Sequence, residues 1–300
     1  MREELFKNCT LCPRKCNVNR LEGKRGYCGM DGTIRAARAA LHMWEEPCIS
    51  GKKGSGAVFF SGCGLRCCFC QNRDIAIGDS GKEISVERLA EIFLELREKG
   101  AANLNLVTGA HYVPHIISAL ELARGKGMNL PVVYNSSGYE SVETIRRLDG
   151  YVDVYLPDMK YMEPELAAAF SNARDYPQAA QSAIAEMMRQ TGPCQFAENG
   201  YIKRGTIVRH LILPGHTKNS IAVLKYLYRT YGEDIFISVM NQYTPVWKNE
   251  KFPELNRKVT RREYEKVLDA AIELGIENGY FQEGETAEES FIPAFDYEGV

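Results

Sequence analysis

Tryptophan and histidine are scarce in this chain, at two and five residues in 300, and a surplus of positive charge is missing: 37 Lys and Arg stand against 39 Asp and Glu. With a formal net charge of −2 there is no electrostatic footprint for nucleic acid or for an anionic membrane surface, and neither is expected as a partner. No apolar run approaches the roughly 20 residues of a membrane span. The start "MREELFKNCT" has no apolar signal region, so a cytosolic location is expected. What the chain has in quantity is cysteine, ten residues of it. In a reducing compartment, clustered thiols serve as metal ligands or catalytic groups more often than as disulfides. Eight of the ten fall into two tight groups; Cys48 and Cys194 stand alone and read as packed, apolar side chains.

From residue 57 onward, short β-branched and aromatic runs alternate with helix-period segments, the pattern of repeated βα units around a parallel sheet. The strand candidates are 57–60, 103–107, 131–135, 152–156, 206–213 and 234–240. Between them, Leu89, Ala90, Phe93 and Leu96 form one apolar stripe behind a Ser85 cap, and Ile116, Ile117, Leu120 and Ala123 form another. "TRRE" at 260–263 has the form of a capping box opening a last long helix. "CQFAENGYIKRG" reads as a hairpin turning at Asn199-Gly200. Six units are too few for a closed eight-fold barrel, which leaves a partial barrel or an open doubly wound sheet. In both, ligands gather at the carboxyl ends of the strands. Residues 1–50 form a cysteine-bearing prologue, 51–275 the βα region, and 276–300 an aromatic, acidic tail in which Tyr280, Phe281, Phe291 and Phe295 suggest a packed cap.

The first cysteine group follows the first strand of the repeat. In "SGCGLRCCFC", Cys63, Cys67 and Cys70 have the spacing C-x3-C-x2-C, with Cys68 as an extra thiol read as a packed neighbour. Three thiolates this close can wrap a soft metal or an iron-sulfur cluster, and a four-iron cube held by three of them keeps one iron open to substrate. A zinc knot would need a fourth ligand at matching spacing, and none follows nearby. "CGLRCCFC" resembles the cluster motif of the radical S-adenosylmethionine superfamily, and more narrowly the chain looks like the group of the pyruvate formate-lyase activating enzymes and their uncharacterised homologues. The resemblance implies a partial (β/α)6 barrel of the radical type and a 4Fe-4S cluster on Cys63, Cys67 and Cys70. It further implies S-adenosylmethionine bound at the open iron, with Phe69 near the adenine. It extends through "YLPDMKYMEPE", giving Asp158 and Lys160, "VRHLILPG", giving Arg209, and "YNSSGY", giving Asn135, Ser136 and Ser137. Two departures stand out: Asn135 occupies the place of an aspartate, and "TGAHYVP" replaces a Gly-Gly-Glu-Pro segment, leaving Thr108, Gly109 and Ala110 to offer backbone groups but no carboxylate. On position alone His111, His210, Gln242 and Tyr243 are candidates for the substrate side, and His111 with His115 has the i, i+4 spacing of a metal pair or of a helix-surface pair.

The second group, in "CTLCPRKCNVNRLEGKRGYCG", places Cys9, Cys12, Cys16 and Cys28 within twenty residues. Four thiolates make a closed ligand set for zinc or for a fully ligated second cluster, and spacing alone does not separate them. The function implied is reductive cleavage of S-adenosylmethionine to a 5′-deoxyadenosyl radical, with flavodoxin or ferredoxin as electron donor. The hydrogen donor would be a glycine of a partner glycyl-radical enzyme, or alternatively a small molecule or peptide side chain. A metal-stabilised binding protein or electron carrier is the competing class, and it would neither bind nor cleave S-adenosylmethionine.

Overall fold

The structure is a computed structural model, and it describes residues 4–78, 80–282 and 293–300. Ten strands appear among them: β1 (Ile34–His42), β2 (Ser55–Phe60), β3 (Lys82–Ile84), β4 (Leu104–Val107), β5 (Val132–Ser136), β6 (Val154–Pro157), β7 (Gln195–Phe196), β8 (Ile202–Leu211), β9 (Phe236–Met240) and β10 (Gly279–Phe281). They join in the order β10-β9-β8-β6-β5-β4-β2-β1-β3, with β7 paired to β8. From β2 to β10 along this order every pairing is parallel. The result is a mixed α/β fold with a mostly parallel sheet, of the partial-barrel kind. β2, β4, β5 and β6 are buried along their whole length, because helices cover one side and the barrel interior the other.

The helices follow from their stripes. Val86–Glu98 starts at Ser85, whose side chain accepts the Arg88 N–H, and buries Leu89, Ala90, Phe93 and Leu96. Arg261–Leu274 opens with a complete capping box in which Thr260 and Glu263 satisfy each other's backbone donors. The hairpin is present too, with β7 antiparallel to β8 and Gly200 donating to the Ala197 carbonyl.

Two features lie outside the βα pattern. Residues 34–42, counted with the prologue in sequence, form a strand antiparallel to β2, with β3 beyond it at the edge of the sheet. Its burial is nearly continuous rather than alternating, so periodicity did not mark it. The last residues then run across β1: Ala39 N–H donates to the Glu298 carbonyl, Tyr297 N–H to the Ala37 carbonyl, and Phe295 meets the Phe59 ring edge-on. Of the tail aromatics, Tyr280 and Phe281 sit in β10, and Phe291 lies outside the described residues.

Candidate active site

The carboxyl ends of β2, β4, β5, β6, β8 and β9 surround one cavity of about 230 Å³. Each strand turns there into a loop, so side chains far apart in sequence meet on one wall. Cys63, Cys67, Cys70 and Phe69 come from the loop after β2, Thr108 from the end of β4, and Asn135, Ser136 and Ser137 from the end of β5. Asp158 and Lys160 follow β6, Arg209 comes from within β8, and Gln242 and Tyr243 follow β9.

The thiol wall is tied down by neighbours. Ser171 Oγ donates to Cys67 Sγ at 3.0 Å, Leu65 N–H to Cys63 Sγ at 3.4 Å, and the Trp247 indole N–H to the Cys70 carbonyl at 3.0 Å. Burial pushes the Cys67 thiol up to about 11 and the Cys70 thiol up to about 12, so these sulfurs become thiolates when a metal takes the proton's place. Among the described residues, no three His, Cys, Asp or Glu side chains stand around one point as a single metal ion requires. A four-iron cluster asks for a wider arrangement, since each thiolate takes a different iron. Three soft donors on one wall, with the Lys160 cation acting on Cys67, fit such a group. Phe69 presents its ring between Phe170 and Tyr243. Cys68 faces away, into a groove lined by Asn249 and Lys251.

Within reach of the thiols lies a network of charges. Arg209 Nε donates to Asp158 Oδ1 at 3.0 Å, its Nη2 to Asn135 Oδ1 at 2.7 Å and its Nη1 to Glu45 Oε2 at 3.2 Å. Lys160 pairs with the second oxygen of Asp158. Burial works to raise the Asp158 pKa, but Lys160 and Arg209 outweigh it and hold the carboxyl below its ordinary value. Two cations and two carboxylates thus neutralise one another inside the barrel, where any one alone would be costly.

Glu45 is the residue that motif reading missed. It arrives from the segment after β1, is buried, and accepts from Asn105 Nδ2 at 3.2 Å and Asn135 Nδ2 at 3.0 Å besides Arg209. Burial drags its pKa upward, while three donors converge on it to stabilise the carboxylate. The site therefore keeps a carboxylate, though the loop after β4 has none. His42, the last residue of β1, and Trp44 just beyond it also line the cavity. Burial, with Arg209 and Arg38 adding to it, lowers His42 to about 4. The only sequence sign of this segment is "HMWEEP", two acids beside an aromatic.

Four candidates stand apart from the wall. Gly109 backs onto Phe60 and Ile116. His111 is buried against Tyr112 with Nε2 2.7 Å from the Ser61 carbonyl oxygen. His115 stacks on Phe6 with Nε2 2.8 Å from the Gly32 carbonyl oxygen, so these two histidines form no metal pair. His210 is buried with Nδ1 2.7 Å from the Met159 carbonyl oxygen. His111 and His210 stand near strand ends, but each imidazole is held on a backbone carbonyl and neither lines the cavity.

Among the described residues no helix is long and apolar enough to cross a membrane. Residues 57–227 match the Radical SAM superfamily. An uncharacterised protein of Methanocaldococcus jannaschii is 31% identical over 276 residues, which is 90% of this chain and 75% of that protein. A pyruvate formate-lyase-activating enzyme of Clostridium pasteurianum is 27% identical over 113 residues, 36% of this chain and 46% of the relative. Of the solved structures, the FeFe-hydrogenase maturase HydG shares the fold with a TM-score of 0.51 at 15% identity, over 76% of this chain and 52% of that one. The chain spans about half the length of the solved structures it matches.

Proposed function

The chain belongs to the Radical SAM superfamily, and from that premise we propose that its barrel cavity abstracts a hydrogen atom from a substrate by means of S-adenosylmethionine and a 4Fe-4S cluster on Cys63, Cys67 and Cys70. The observation that carries this reading is the meeting of those three thiols with Asn135, Asp158, Lys160 and Arg209 around one cavity. When bound, cluster and cofactor supply one-electron cleavage to methionine and a 5′-deoxyadenosyl radical.

The protein's part is orientation and exclusion of water. Lys160 and Arg209 offer positive charge to a carboxylate, while Asp158 and Glu45 offer negative charge to an ammonium or ribose hydroxyl. The charge-neutral network holds all four in place before a ligand arrives, which lowers the ordering cost of binding. Phe69 gives an aromatic face for a purine. Phe59, Ile75 and Val107 make an apolar floor that keeps water from a reactive species. Reduction needs an external one-electron donor, for which a flavodoxin or ferredoxin is suited. Cys9, Cys12, Cys16 and Cys28 would hold a second metal centre.

Two substrate classes have support. The partial similarity to a pyruvate formate-lyase-activating enzyme favours a glycine in a partner protein. The added strand β1, with Trp44 and Pro293 at the cavity rim, favours a small molecule or a single side chain. Anaerobic protein loaded with iron and sulfide and reduced with dithionite should release 5′-deoxyadenosine from S-adenosylmethionine, and the Cys67→Ala variant should release none. Retained cleavage in that variant would sink the assignment. With deuterated candidate substrates, label appearing in the 5′-deoxyadenosine identifies the hydrogen donor.

A further inference from the structure

The catalytic cysteine loop has two faces. One lines the barrel cavity and the other an outer groove, and Cys67 and Cys70 border both, so a single loop separates the two spaces. The groove is basic in a chain that is acidic overall. Its cations are Arg66, Arg73, Lys248 and Lys251, against the carboxylate of Glu250, whereas the whole chain carries −2. Among the described residues none of these four cations is in an ion pair. Arginines on other surfaces behave differently: Arg38, Arg88, Arg189 and Arg257 each pair with a carboxylate. Four like charges around one groove repel one another, and an anionic partner relieves that repulsion.

The walls of the groove are held in place before any partner arrives. Trp247, 39% exposed, donates its indole N–H to the Cys70 carbonyl at 3.0 Å, and the Arg73 guanidinium lies 5.5 Å from its ring centre. Asn249 braces the same wall, accepting the Lys251 and Phe252 N–H groups on its side chain and donating its own N–H to Asn256 Oδ1 at 2.6 Å. Arg66 lies 4.9 Å over the Tyr27 ring, so the prologue supports the groove as well. Arginine and tryptophan are residue types that anchor partner proteins.

We infer that this groove docks an acidic flavodoxin-type protein, which passes one electron through the cysteine loop to the cluster. The inference rests on the reading that Cys63, Cys67 and Cys70 hold a reducible cluster. One electron leaves the flavin hydroquinone, giving the semiquinone, and enters the cluster; the flavin adjusts its protonation with solvent. The unpaired cations match carboxylates set around a redox centre, and the exposed indole gives an apolar contact for the uncovered edge of a flavin ring. Electron tunnelling falls steeply with distance, and a groove bordered by two of the ligand cysteines keeps that distance short. Such electron-transfer encounters are small and transient, burying less than about 1,200 Å², so charge rather than area carries them.

The test is anaerobic titration of cluster-loaded protein with a flavodoxin, followed by calorimetry. Binding should weaken as salt rises. Arg73→Glu/Lys251→Glu should raise Kd at least about tenfold. Lys52→Glu/Lys53→Glu makes the same charge change on exposed residues ahead of β2, away from the loop that follows it, and should shift Kd less than about twofold. In the groove variant, 5′-deoxyadenosine release driven by flavodoxin should fall by a similar factor. Release driven by dithionite, which needs no docking, should stay within about twofold. Equal weakening by the two variants would reveal a general charge attraction and overturn the inference. So would a wild type that binds no flavodoxin at low salt, or that binds a ferredoxin instead. Absence of dithionite-driven cleavage in wild type counts against the catalytic reading alone, because docking is read from binding.

Discussion

At the scale of single residues, the site depends on buried groups kept in one protonation state. His210 shows the consequence for stability. Burial lowers its pKa from 6.5 to about 4, so the folded chain refuses a proton that the unfolded chain accepts. A group depressed in this way contributes stability that is fully present above pH 6.5 and is lost as pH falls towards 4. From this residue alone the loss should reach about 1 kcal/mol by pH 5.5. Denaturant unfolding of wild type and His210→Asn from pH 7.5 to 5.5 measures it, and the variant should show the shallower decline. Parallel curves would mean that His210 titrates in the folded state as it does in the unfolded one.

At the scale of elements, the catalytic loop is held between the barrel and the prologue, and Gly62 is where they meet. Its φ is +91°, and a Cβ there would come within 2.4 Å of Met30 Cγ and 2.9 Å of the Cys28 carbonyl. Gly62→Ala must push the loop off the prologue or strain it in place. The expected outcome is loss of roughly half the bound iron or more, with an unfolding free energy lowered by about 1–3 kcal/mol. Iron analysis beside a denaturation curve checks both, and full loading at unchanged stability would show that the two segments move independently.

At the scale of the whole molecule, the chain's end straps the added strand to the barrel. Gly299 makes this possible, since a Cβ on it would lie 2.1 Å from the Ala39 carbonyl oxygen. The Arg38 pairs with Asp296 and Glu298 are partly exposed and add little, so the strap rests on its backbone bonds and on Phe295. Gly299→Val should free the last residues to a protease in limited digestion while 5′-deoxyadenosine release stays within about twofold, because the thiols and the Arg209 charge network are untouched. Uptake of larger substrates by this variant, but not by wild type, would show that the strap sets the size of what enters.

Fold and site were legible in sequence to different depths. The six parallel strands, the capped helices and the cluster thiols announce themselves locally, because periodicity, caps and cysteine spacing are short-range consequences of backbone geometry and of metal coordination. Asp158, Lys160, Arg209 and Asn135 could be named from motifs, but their mutual pairing could not. Glu45 left almost no trace, since its role depends on β1 folding back beside β2 and delivering a carboxylate to Asn105, Asn135 and Arg209. The same limit misdirected the reading of His111 and His210, whose strand-end positions say nothing about which way a side chain turns. By itself the sequence determined the repeat, the cysteine spacing and the family. Tertiary structure alone decided which charges neutralise one another and which sulfurs face a cavity, because both depend on distances between residues that only packing brings together.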